Sequence, residues 1–167
     1  MQTSAMTNQS TNLAADDNDL SCVLIPVLDD QLLLPNVSVA EIVPWRRLRA
    51  MTNGPDWCLG HVGWRGQTLP VLHFGGFSGH VAPEGSAGRC LVVMNRARNP
   101  SAPSFYAFAS QGLPRMVALE EDDLGNRNIE LGPADVMRVQ VGTEAAVIPD
   151  LAFIEQELYQ LHRALNG

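Results

Sequence analysis

The residues best suited to chemistry lie between Cys58 and Cys90. Cys58 and His61 stand at C-x-x-H spacing, with His73, His80 and Cys90 downstream. Thiolate and imidazole are the usual zinc ligands, but a structural zinc site takes four of them, in two tight pairs. Only one tight pair occurs here, and Cys58 sits between Trp57 and Leu59, the setting of a buried thiol. Cys58, His61 and His73 are the residues that a metal-binding or small-molecule-binding β-barrel would have to use. Gly76-Phe77-Ser78-Gly79-His80 approaches the G-x-S-x-G nucleophile elbow, yet its fifth residue is histidine and no strong helix follows. A catalytic cysteine needs an electropositive, partly exposed thiol, and none of the three cysteines has that setting. No catalytic residue, cofactor or metal is assigned.

Gly60, Gly63 and Gly66 recur at every third position around Arg65. This is not G-x-G-x-x-G, and it precedes a strand-like run instead of opening a helix, so a dinucleotide site is excluded in context. All 11 basic residues are arginine. A phosphate loop of the GxxxxGK[ST] type, Schiff-base chemistry and a lysine base are therefore impossible. Cationic recognition must use guanidinium groups, which favour planar, bidentate partners such as carboxylates. Glu41 is the one acid embedded in an apolar segment and needs a partner if it is buried. Arg65 is the natural candidate, the alternative being that both are solvated. An arginine on a glycine-rich loop, with Trp45, Trp57 and Trp64 near it in sequence, suits protein recognition, because interface centres favour arginine and aromatics. Trp57 reads as core; Trp64 beside Arg65 is a candidate contact.

The elements that must position these residues are mostly strands. Leu20–Leu28 is strand-like, with Pro26 marking an edge or bulge. Residues 31–43 read as strand, turn, strand, with Glu41 near the end of the second. Pro44–Met51 is a small basic spot. Pro55 is placed to open a short helix over Trp57, Cys58 and Leu59 that Gly60 ends, and Leu69–Phe74 is β-prone. Residues 75–88 hold five glycines and a proline and read as a flexible loop. Strands follow over Arg89–Arg96, Ser104–Ser110 and Pro114–Leu119, then an acidic loop over 120–135. Residues 135–149 alternate apolar and polar around a Gly142-Thr143 turn, the pattern of a hairpin. Asp150 caps a C-terminal helix whose Leu151, Ile154, Leu158, Leu161 and Leu165 share one face. Short strands with many Gly/Pro turns predict an all-β chain of small barrels.

Composition bounds the rest. The net charge of −7 argues against nucleic-acid binding, which needs a basic face. Three widely spaced cysteines make no disulfide framework, the N-terminus shows no secretory signal, and no apolar run approaches the ~18 residues of a membrane span. These features predict a cytoplasmic protein without direct membrane insertion. Residues 1–19 are polar and poor in large apolar side chains, and predict a disordered lead-in to one domain over 20–167.

The chain resembles the CheW family of chemotaxis coupling proteins. The resemblance runs from Val37-Ser38-Val39-Ala40-Glu41-Ile42, similar to the family's V-x-x-V-x-E-I. It continues through Gly54-Pro55 and Leu59-Gly60-His61-Val62-Gly63-Trp64-Arg65-Gly66 to Leu69-Pro70-Val71-Leu72. It implies two interlocked five-stranded SH3-like barrels with a short helix and a C-terminal helix. It also implies a non-enzymatic adaptor that bridges the regulatory domain of a CheA-type histidine kinase and methyl-accepting chemoreceptors. The positions matching the family's coupling region are Val39, Glu41, Gly60, Arg65 and Gly66; with Trp64 they form the expected partner-binding set. The family's asparagine and leucine are Gly63 and Trp64 here, and its acid after P-V is lost at His73-Phe74. In these departures the chain looks more like the ChpC-type accessory adaptors of type IV pilus (twitching motility) chemosensory systems.

Overall fold

The computed structural model describes residues 20–83 and 87–167; the expected disordered lead-in, residues 1–19, lies outside them. Among these residues eleven strands make two sheets, followed by one helix. The first sheet contains β1 (Leu20–Val27), β2 (Asp30–Pro35), β8 (Arg115–Leu119), β9 (Leu124–Asn126), β10 (Asp135–Val141) and β11 (Glu144–Pro149), in the order β8-β1-β2-β11-β10-β9. The second contains β3 (Val39–Pro44), β4 (Cys58–Trp64), β5 (Gln67–Leu72), β6 (Cys90–Asn95) and β7 (Phe105–Ser110), in the order β3-β6-β7-β5-β4. The expected all-β, CheW-like architecture with a C-terminal helix is what forms. The first sheet has six strands because three residues of the acidic segment, Leu124–Asn126, pair with Val139–Val141.

The central strands are apolar on both faces because both faces are buried. In β1, Cys22 and Leu24 point into the interior of the first sheet, and Val23, Ile25 and Val27 into the layer between the sheets. In β6, Leu91 and Val93 fill the second sheet, and Val92 and Met94 face the middle layer. In β7, Ala107 and Ala109 take the inner side, while Tyr106 and Phe108 join the middle layer. The helix α1 (Leu151–Asn166) closes that layer with Ile154 and Leu158. Leu165, expected on the same face, is 54% exposed because α1 runs past the edge of the core there. Asp150 caps α1 as expected, accepting from the Phe153 amide at 3.1 Å. Pro26 marks a local edge: β1 lies between β8 and β2, but the pairing to β8 ends at Leu24, before the proline, which keeps only its β2 partner Gln31.

Two local expectations are corrected. The short helix over Trp57–Leu59 does not form. The Cys58 amide donates back to Pro55 at 3.0 Å, a single turn, and the chain then enters β4, with Cys58 opposite Leu72. Pairing along β5 and burial of alternate side chains outweigh the local helix signal. The segment after β5 is less open than its glycines suggest: Phe74–Ser78 forms a 3-10 turn with Phe77 stacked on Trp57 at 5.1 Å. Gly76 lies under the Asp56–Trp57 backbone, where an added Cβ would stand 2.4 Å from the Trp57 Cα. Trp57 is core, as expected.

Candidate functional site

Strands β3 and β4 are the two outer strands of the second sheet, yet they meet. The sheet is curled until its edges touch, and the residues singled out in sequence lie along that seam. At its lower part the strap after β3 crosses β4: Arg49 and His61 exchange backbone hydrogen bonds of 2.8 and 2.9 Å. Arg46 Nη1 donates to the Gly63 carbonyl at 2.7 Å. At the upper part, Arg65 Nη2 reaches Glu41 Oε1 at 3.0 Å. The buried indole N–H of Trp64 donates to the same oxygen at 2.9 Å.

The local sequence accounts for this geometry. Trp64 and Gln67 pair across a two-residue turn in which Arg65 and Gly66 both have positive φ, 47° and 76°. That is the backbone of the tight hairpin turn whose twist matches the strands. Glycine adopts it freely and arginine does so at a cost. The turn throws the Arg65 side chain back across the seam, where it lies 5.0 Å over the Trp64 ring. Trp64 itself is 6% exposed and packs at 4.9 Å against Phe105 in the core of the second sheet. An ion pair whose side chains are 68% and 37% exposed contributes little alone. The indole, which is anchored in the core, fixes the carboxylate that the guanidinium meets.

The expected partner-binding residues thus separate into two groups. Arg65 and Gly66 are exposed at the hairpin tip and Glu41 is half-buried beside them. Gly60, Trp64 and most of Val39 are inside. Gly60 has φ +143°, and a Cβ there would stand 2.3 Å from the Arg49 carbonyl oxygen, so only glycine lets the strap cross. Val39 opens β3 opposite Met94, ahead of a bulge that ends at Glu41, and packs against the middle layer. These three shape the surface from behind. Two exposed apolar groups lie nearby in the chain: Val37, 84% exposed, in the 3-10 turn before β3, and Ile42, 42% exposed, on the face of β3 opposite Glu41.

The residues of the metal reading point apart. Cys58 is buried, with Sγ directed to the Gly60 carbonyl at 3.7 Å and its thiol pushed up by burial. His61 faces a groove between β4–β5 and the end of α1. His73 is buried and donates from Nε2 to the His80 carbonyl at 3.0 Å. Among the described residues no three His, Cys, Asp or Glu side chains gather as a metal site would require. Also among the described residues, no helix is long and apolar enough to cross a membrane.

The comparisons with known proteins agree with this geometry. The CheW-like domain matches residues 21–154. The chain belongs to the CheW-like domain family. The crystal structure of the scaffolding protein TtCheW from Thermoanaerobacter tengcongensis shares the fold, with a TM-score of 0.63 at 13% identity over 78% of this chain and 88% of that one. No curated protein matches the chain.

One functional side chain lies just past the matched residues and carries no motif. Glu155 is fully buried on α1, and its carboxylate accepts from the amides of Ala97, Arg98 and Asn99 at 2.7, 2.6 and 2.8 Å and from the Tyr106 hydroxyl at 3.2 Å. It holds the β6–β7 turn onto the helix. Only its place on the buried face, one residue after Ile154, could have signalled it.

Proposed function

We propose that this protein is a non-enzymatic adaptor that couples methyl-accepting chemoreceptors to the regulatory domain of a CheA-type histidine kinase. Its contact surface is the β4–β5 hairpin tip together with β3. The observation that carries this reading is the shared Glu41 oxygen: Arg65 is held in a defined orientation at an exposed turn by Trp64 and Glu41, on a chain of the CheW-like family. A prearranged guanidinium loses less freedom on binding than a mobile one. Val39, Gly60 and Trp64 act by shaping this surface, and Glu41, Arg65 and Gly66 by meeting the partner.

The finer reading is a ChpC-type accessory adaptor of a type IV pilus (twitching motility) chemosensory system. It is supported by Gly63, Trp64 and His73-Phe74, where the chain departs from the family's asparagine, leucine and acid. The test is capture of purified kinase regulatory domains and receptor tip fragments, one set from a pilus-linked and one from a flagellar cluster, by the unmutated protein and by Arg65→Ala. Retention of the pilus-linked set, weakened by the substitution, is expected. If neither set is retained, the adaptor reading is wrong; preference for the flagellar set would overturn the finer assignment alone.

A further inference from the structure

The strap between β3 and β4, residues 45–50, carries a second surface that the hairpin tip does not use. Residues 44–51 hold three of the chain's 11 arginines and no acid, in a protein of net charge −7. Arg46, Arg47 and Arg49 are all exposed. Among the described residues none of the three forms an ion pair. A cavity of about 380 Å³ lined by Trp45, Leu48, Leu59, Ala82 and Pro83 has Arg47 at its wall. Trp45 is only half-buried, and its ring lies across Gly88, where a Cβ would approach it to 2.8 Å. The strap is not a loose loop. Its ends are fixed by the Trp45 amide on the Arg89 carbonyl at 3.3 Å and by the two bonds between Arg49 and His61.

We propose that this groove docks an acidic peptide segment of a partner protein, with one large apolar side chain of that segment inserted beside Trp45 and a carboxylate on Arg47, the arginine at the groove wall. Charge complementarity selects the occupant: a local cationic spot on an acidic chain attracts acidic segments while the rest of the surface repels them. Guanidinium groups match carboxylates bidentately and are weakly hydrated, so they leave water at little cost. An indole beside a cavity provides the apolar anchor that interfaces concentrate at their centre. Three arginines are too few for a nucleic acid against this net charge, and fewer than the four to eight cations of a typical lipid-binding cluster.

The probe is a synthetic peptide with one leucine flanked on each side by three glutamates, titrated into the full-length isotope-labelled protein. The expected result is salt-sensitive binding that shifts the amide resonances of Trp45, Leu48 and Leu59. Affinity is expected to fall at least tenfold in Arg47→Glu, and as far when the leucine is replaced by glycine. Arg65→Ala, outside this groove, leaves peptide binding unchanged, which separates this proposal from the coupling reading. Absence of binding, equal binding by Arg47→Glu or by the glycine peptide, or tighter binding of phosphatidylserine vesicles or single-stranded DNA than of the peptide would each overturn it.

Discussion

The indole N–H of Trp64 and the carboxylate of Glu41 meet at 2.9 Å across the seam of a curled sheet, joining strands that lie at its opposite edges. The bond ties a residue of the core to the exposed ion pair with Arg65. Trp64→Phe keeps the aromatic packing against Phe105 and removes the donor. Loss of one hydrogen bond to a charged group costs about 1.5–3 kcal/mol when both partners are buried; Glu41 is only half-buried, so a cost near ~1 kcal/mol is expected. Affinity for the kinase or receptor should fall more than this stability loss implies, because Arg65 loses its fixed orientation. Chemical denaturation paired with binding titrations separates the two; a partner affinity equal to that of the unmutated protein would show that Trp64 serves packing only.

Arg65 has φ 47° at the first position of a two-residue hairpin turn. Asparagine tolerates that backbone better than arginine. Arg65→Asn is therefore expected to keep or raise the melting temperature while weakening partner retention. A melt lowered by several degrees would mean that the ion pair outweighs the turn strain.

Gly60→Ala should be among the most damaging single changes in the chain. The new methyl would stand 2.3 Å from the Arg49 carbonyl oxygen, backbone that is itself bonded to His61. The positive φ adds its own cost, and the sum of strain and displaced strap is on the order of 2–4 kcal/mol. Loss of coupling in this variant should follow loss of fold, visible as a lowered denaturation midpoint. A variant with native stability and no coupling would place Gly60 on the contact surface after all.

What the sequence made legible depended on the range of the signal. The 135–149 hairpin, its Gly142-Thr143 turn and the Asp150 cap rest on neighbours in the chain, and all three form. The start of β4 is not legible locally, because Pro55 and the apolar Trp57–Leu59 look helical until β5 is placed beside them. The glycines at 60, 63 and 66 read as a loop, whereas only Gly66 lies in the turn and Gly60 serves a crossing strap. Glu41 and Arg65 could be nominated from residue type alone, because an acid in an apolar strand needs a partner. That Trp64 shares the same oxygen requires the curl of the sheet, which no local pattern encodes. Glu155 was hidden for the same reason: its three amide donors come from a turn some 57 positions earlier.

Glu155 gives a sharp stability test. A buried carboxylate that accepts three amides and a hydroxyl leaves all four donors unsatisfied when it is removed. Glu155→Ala should cost at least ~3 kcal/mol. Glu155→Gln should also be costly, because its amide nitrogen would face donors, though it retains one accepting oxygen. The order alanine worse than glutamine worse than glutamate in urea midpoints is expected; equal midpoints for all three would mean that the β6–β7 turn is held by other contacts.

Acid sensitivity should trace to two histidines. Burial holds His73 below the ordinary imidazole value of 6.5, opposed in part by its bond to the His80 carbonyl. Burial, with Arg49 beside it, does the same for His61. A lowered pKa in the folded state means that the unfolded chain binds more protons as pH falls below 6.5. Their contribution to stability is therefore full above pH 6.5 and is lost progressively below it, levelling off once pH passes the depressed folded values. Melting temperatures recorded from pH 7.5 to 5 should fall over this window, before the carboxylates protonate. Glutamine at position 73 can still donate to the His80 carbonyl but does not titrate, so His73→Gln should flatten the fall, and His61→Gln combined with it should flatten it further. A pH profile in the double variant as steep as in the unmutated protein would assign the acid sensitivity to other groups.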